Sequence, residues 1–60
     1  MGMKPEDIQI GRFYWAQIGS YAMRVKVIAV NTGVANRWLC VDQNGKQAVC
    51  SLAQFIGRSS

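Results

Sequence analysis

The chain has 60 residues, of which 50% are apolar and 17% are charged. This length permits one globular domain, and this composition excludes a disordered chain. Seven basic and three acidic residues give a net charge of +4, which favours anionic partners, although solubility alone also explains such a charge. Apolar runs reach only about four residues, whereas a membrane span requires roughly 20.

The first seven residues form a polar N-terminal arm without the apolar segment of a secretory signal. Met1 and Gly2 resemble an expression remnant ahead of the natural start. Pro5 fits a loop or one short helical turn leading into the fold. Glu6 and Asp7 are expected to cap such a turn rather than to act in catalysis.

Two strands are predicted in the first half of the chain. Aromatic and branched residues favour a strand from Phe13 to Ile18, which Gly19 and Ser20 end. The second strand runs from Tyr21 to Val30 and alternates apolar and basic residues up to Val27. Loss of the alternation after Val27 predicts a sharp bend that buries residues on both sides. A turn follows at residues 31–33.

A hairpin is predicted in the second half, with strands at Arg37–Asp42 and Lys46–Ser51. Asn44-Gly45 between them favours a two-residue type I′ loop, since both central positions of that turn need positive φ. The chain is then expected to close with a short 3₁₀ turn, a last short strand and a disordered tail, at Leu52–Gln54, Phe55–Ile56 and residues 57–60.

A two-residue loop fixes the register of this hairpin. It places Leu39 opposite Cys50, and Cys40 opposite Val49. Because neighbouring side chains on a strand alternate between faces, Cys40 and Cys50 then point to opposite faces, which excludes a disulfide. A three-residue loop slips the register by one position and brings the two cysteines together. Free thiols imply a reducing, cytoplasmic setting.

The same register sorts the hairpin into two faces. The uniformly apolar face is expected to be core, and it carries Leu39, Val41, Ala48, Cys50 and Leu52. The mixed face is expected to lie outside, and it carries Trp38, Cys40, Asp42, Gln47, Val49 and Ser51. Trp38 is therefore predicted to lie outside the core.

The run Gly11–Ala16 followed by Arg24–Val30 resembles the opening strands of Tudor-like and KOW-like SH3 barrels. The remainder, from Trp38 to Phe55, is similar to the closing hairpin, 3₁₀ turn and last strand of such barrels. It also resembles the SH3-like DNA-binding tail domain of retroviral integrases. The resemblance covers Ile8 to Ile56 and implies an all-β fold, a small five-stranded antiparallel SH3-like barrel with a 3₁₀ turn before the last strand.

The resemblance also orients the first strand. It implies that Tyr14 and Ala16 occupy core positions, so that Phe13 and Trp15 face outward on the same side as Trp38.

The sequence offers few residues that suit catalysis. The chain has no histidine, and two cysteines cannot close a four-ligand zinc site. Asp42 flanks a turn, Cys50 suits the core, and no histidine is present to activate Cys40. Isolated glycines form no phosphate-binding fingerprint. We therefore expect a non-enzymatic module without cofactor or metal.

The leading hypothesis is a small nucleic-acid-binding module of bacterial, phage or mobile-element type. The expected phosphate contacts are Arg12, Arg24, Lys26, Arg37 and Lys46. The expected stacking or interface residues are Phe13, Trp15 and Trp38. The basic residues also fit an ordinary solvated strand face, and the aromatic residues also fit a secondary core.

Two other functions remain open. In the first, the three aromatic residues build a protein–protein or homo-oligomer interface. In the second, more remote, an oligomeric enzyme has its site on a symmetry axis, where the motifs of one chain do not reveal it.

Overall fold

The computed structural model describes residues 3–30, 33 and 35–59, which form an antiparallel five-stranded sheet. The strands are β1 (Phe13–Ile18), β2 (Tyr21–Val30), β3 (Arg37–Val41), β4 (Gln47–Ser51) and β5 (Phe55–Arg58), in the sheet order β4-β3-β2-β1-β5. One 3₁₀ turn precedes β1 at Pro5–Asp7, and another precedes β5 at Leu52–Gln54. In the described part of the chain, no helix is long and apolar enough to cross a membrane.

Most predicted elements are confirmed. The bounds of β1, β2 and the 3₁₀ turn at Leu52–Gln54 agree with the prediction, Pro5 begins a short helical turn, and β5 continues two residues beyond its predicted end at Ile56. The carboxylate of Asp7 accepts a hydrogen bond from the Lys4 backbone N–H at 3.0 Å, which is the capping role expected of it. Residues 1 and 2, most of the 31–33 turn and Ser60 lie outside the described residues.

The bend predicted in β2 is confirmed by the pairing of β2 with β3. The register shifts between Val27 and Ala29, because Ile28 is an additional residue on β2 without a partner on β3. This bulge curls the sheet. In a flat sheet β3 and β5 would lie about 14 Å apart, yet the ring centroids of Trp38 and Phe55 are 5.6 Å apart. Residues from distant strands therefore meet over the concave face.

The concave face carries the core. The aromatic rings of Tyr14, Trp38 and Phe55 meet edge to face there. Tyr14 and Ala16 are buried, as expected for β1. The Tyr14 hydroxyl donates a hydrogen bond to the Asp7 carbonyl oxygen and accepts one from the Gln9 N–H, both at 2.8 Å. These two bonds attach the N-terminal segment to the sheet.

The predicted register of the β3–β4 hairpin is wrong by one residue. Trp38 lies opposite Cys50, and Leu39 lies opposite Val49, so the loop has three residues rather than two. The Asp42 side chain explains the longer loop. Its Oδ1 accepts hydrogen bonds from the Asn44 and Lys46 backbone N–H groups, both at 2.9 Å. The Gly45 N–H bonds the Asp42 carbonyl oxygen at 3.1 Å, and Gly45 takes φ +81°, the geometry of a type I turn followed by a left-handed residue.

The one-residue slip exchanges the two predicted faces of β3, while β4 keeps its predicted faces. Trp38 and Cys40 are buried, so the prediction that Trp38 faces outward is wrong. Leu39 and Val41 are only partly buried, and Val49 is half exposed. Cys50 keeps the core position predicted for it. Asp42 keeps its predicted turn role.

Candidate functional site

The outer face of β1 and β2 brings four of the predicted site residues together. Phe13 lies directly opposite Lys26, and Trp15 lies directly opposite Arg24. Alternation along both strands sends these four side chains away from the core, because the intervening residues Tyr14 and Val25 are buried. The four residues form what we call the cationic–aromatic face.

Arg24 links the two halves of this face. Its guanidinium carbon lies 4.0 Å from the centroid of the Phe13 ring, and the Lys26 ammonium lies 5.9 Å from the same centroid. Both distances are within the range of cation–π attraction. The Arg24 Nε also donates a hydrogen bond to the Ser59 hydroxyl at 2.9 Å. The guanidinium is thus held over the Phe13 ring by two contacts, and a planar guanidinium can itself stack on a ligand.

Trp15 is the most open aromatic of the face. The indole is 44% exposed, although a tryptophan is costly to leave in water. The residue opposite it on β5 is Gly57, which has no side chain to cover the ring. A β-carbon placed at Gly57 would meet no atom within 4 Å. The surface beside Trp15 on β5 is therefore free for a ligand.

The remaining predicted cations do not join this face. Arg37 lies at the start of β3, and its side chain donates to the Asn36 carbonyl oxygen at 3.4 Å. Lys46 lies at the tip of the β3–β4 hairpin and lines a cavity together with Ile18 and Met23. These two residues lie at the end of the β1–β2 pair that is opposite to Phe13. Trp38 is 6% exposed and belongs to the core. Of the site residues predicted from the sequence, only those on β1 and β2 and those next to these strands lie together.

Arg12 is next to the face, and Arg58 is a cation that the sequence analysis missed. Both line a surface cavity of about 420 Å³, together with Ile10, Gly11, Phe13 and Ser59. The register of β5 explains this proximity, since Arg58 pairs with Tyr14 and the Ser59 N–H bonds the Phe13 carbonyl oxygen at 3.0 Å. Because Gly57–Ser60 was expected to be a disordered tail, no sequence signal placed Arg58 beside Arg12.

The two cysteines lie on the same face, so the prediction that they point to opposite faces is wrong. Both are fully buried free thiols, on neighbouring strands and diagonal to each other. The interaction with Cys50, aided by burial, raises the pKa of the Cys40 thiol. The hydrogen bond with Cys40 lowers the pKa of Cys50 to about 7, against the opposing effect of burial. Neither sulfur reaches solvent, so the pair presents no nucleophile to an external substrate.

Two of the three acidic residues have a structural role, although Asp42 also lines a small cavity together with Arg24. Asp7 caps the first 3₁₀ turn, and Asp42 holds the hairpin loop. Within residues 3–30, 33 and 35–59, no three cysteine, aspartate or glutamate side chains gather as metal ligands.

Comparisons with known protein families, with curated proteins and with solved structures found no match to this chain. The chemistry of the cationic–aromatic face is therefore the guide to function.

Proposed function

We propose that this chain is a non-enzymatic binding module that binds single-stranded nucleic acid on its cationic–aromatic face. The observation that carries the proposal is the direct pairing of Phe13 with Lys26 and of Trp15 with Arg24 on the outer side of the sheet. Proteins that bind single strands combine aromatic platforms for the bases with cations for the phosphates. These four residues supply both within one patch.

Each group has a role that follows from its surroundings. The open indole of Trp15 stacks one base, and the guanidinium plane of Arg24, held over Phe13, stacks or pairs with the next. Lys26 is exposed and contacts a phosphate. A base flattened on Trp15 meets no obstacle from β5, because Gly57 lies opposite. Double-stranded nucleic acid fits less well, since its bases already stack on each other.

The proposed architecture behind this face is an SH3-like barrel. The sheet order leaves β4 and β5 as edges, and the strong curl that brings Phe55 against Trp38 supports a barrel-like form. Two free buried thiols are compatible with a reducing, cytoplasmic setting.

The test is fluorescence anisotropy of labelled single-stranded and double-stranded oligonucleotides as salt is raised. We expect tighter binding of the single strand, and an affinity that falls with salt because counterions are released. Replacing both cations in Arg24→Gln/Lys26→Gln should weaken binding and reduce the slope of log affinity against log salt by about 0.7, because Lys26 is the phosphate contact of the pair. The matched control is Arg37→Gln/Lys46→Gln, which removes the same charge from positions outside the face.

Trp15→Ala should weaken binding of the single strand roughly 5- to 150-fold, the range of one lost stacking contact. Tyr21→Ala removes an even more exposed aromatic at the far end of β1 and β2, and it should change little. If the two double variants weaken oligonucleotide binding equally, binding depends on net charge alone and the cationic–aromatic face is not its site. Absence of oligonucleotide binding, together with a dimer in sedimentation that Trp15→Ala dissociates, would assign the face to self-association instead.

A further inference from the structure

We propose that the cavity between Arg12 and Arg58 is a nucleotide subsite of the same binding surface, with the phosphate held by the two arginines. The inference rests on the proposed function, because Phe13 is both a wall of the cavity and a member of the cationic–aromatic face. The cavity has a volume of about 420 Å³, which lies in the range of small-molecule sites and accommodates one nucleotide.

The charge of the cavity selects its ligand. Arg12 and Arg58 both line it, and Arg24 reaches its edge through the 2.9 Å hydrogen bond to Ser59. No described residue of the lining is acidic, so the ionised side chains that line the cavity are both positive and favour an anion. Guanidinium groups bind phosphate oxygens through paired N–H donors. A phosphate is therefore better suited to this position than a single carboxylate is.

The other wall of the cavity is apolar. Ile10 and Phe13 both line it, and they are 59% and 37% exposed. A sugar or base placed against these two side chains would cover apolar surface that water now contacts. The combination of an apolar wall and two arginines is matched by a nucleotide rather than by inorganic phosphate alone.

The fold brings these residues together from both ends of the chain. Ser59 is fixed by its N–H bond to the Phe13 carbonyl oxygen, and Gly11 is fixed by its N–H bond to the Val27 carbonyl oxygen at 2.7 Å. The backbone on both sides of the cavity is thus attached to the start of β1 and to β2 at its bulge. A nucleotide bound here lies beside Phe13, the residue that the cavity shares with the cationic–aromatic face.

The experiment titrates the full chain with adenosine monophosphate, adenosine and inorganic phosphate at low salt, and follows backbone amide signals by NMR. We expect adenosine monophosphate to shift the signals of Arg12, Phe13 and Ser59, inorganic phosphate to shift them less, and adenosine to leave them unchanged. Arg58→Gln and Arg12→Gln should each weaken binding of the nucleotide about tenfold or more, as for a lost hydrogen bond to a charged group. Arg37→Gln is the matched control and should have no effect.

Failure of this inference and failure of the proposed function are distinguishable. If single-stranded oligonucleotides bind but Arg12→Gln and Arg58→Gln behave like Arg37→Gln, the subsite is overturned and the face remains. If adenosine shifts the same signals as strongly as adenosine monophosphate, the arginines do not read a phosphate and the subsite is overturned. If adenosine monophosphate binds as expected but oligonucleotides do not, the subsite is supported and the binding of a strand on the face is wrong.

Discussion

The two tryptophans of this chain occupy opposite surroundings although both sit in strands rich in apolar residues. Trp15 on β1 is 44% exposed and lies beside Arg24, whereas Trp38 on β3 is 6% exposed and packs edge to face on Phe55. Hydrophobicity alone does not separate them. The difference teaches that strand register, which turns and bulges set, decides whether an aromatic residue stabilises the fold or remains available to a partner.

The largest expected difference between the two tryptophans is the loss in free energy of unfolding when each is replaced. Trp38→Ala should lower the free energy of unfolding by about 3–5 kcal/mol, because it leaves a cavity against Phe55. Trp15→Ala should cost no more than about 1 kcal/mol, as for a surface position. Urea denaturation of both variants measures the contrast.

A chain of 60 residues is expected to be stable by only roughly 3–9 kcal/mol, so Trp38→Ala can unfold it completely. Trp38→Phe is the graded variant for that case, since it keeps an aromatic ring in the core and should give a measurable intermediate loss. Similar losses for Trp38→Phe and Trp15→Phe would contradict the assignment of one indole to the core.

A smaller effect is expected at the loop that sets the register of β3 and β4. Gly45→Ala should lower the free energy of unfolding by about 1–2 kcal/mol, because Gly45 has φ +81° and an alanine is strained there. Gln43→Ala, at an exposed position of the same loop, is the control and should be nearly neutral. If Gly45→Ala leaves the free energy of unfolding unchanged, position 45 does not need a left-handed residue. That result would contradict the three-residue loop and the register that it sets.

How far the sequence predicts this molecule differs between the two hairpins for a physical reason. In β2 the core residues Val25 and Val27 are separated by basic residues such as Arg24 and Lys26, so only one register buries the apolar set. In β3 both alternating sets are apolar, since Trp38 and Cys40 compete with Leu39 and Val41. The loop alone then decides the register.

A signal for the correct loop was present in the sequence. Aspartate at the first position and glycine at the fourth favour a type I turn, and Asp42 and Gly45 have this spacing. Asn44-Gly45 alone favours a two-residue loop, but the Asp42 side chain, which accepts hydrogen bonds from two backbone N–H groups, stabilises the three-residue loop. The Arg12–Arg58 cavity had no comparable signal, because its residues come from opposite ends of the chain.

The most direct test of the cationic–aromatic face observes both indoles of the wild-type chain at once. The two indole N–H signals in a ¹H–¹⁵N NMR spectrum are assigned by the one that disappears in Trp15→Phe, and a short single-stranded oligonucleotide is then added at low salt. Stacking on the face predicts that the Trp15 signal shifts progressively while the Trp38 signal stays in place. A Trp15 signal that stays in place when the oligonucleotide is in excess would contradict the proposed function.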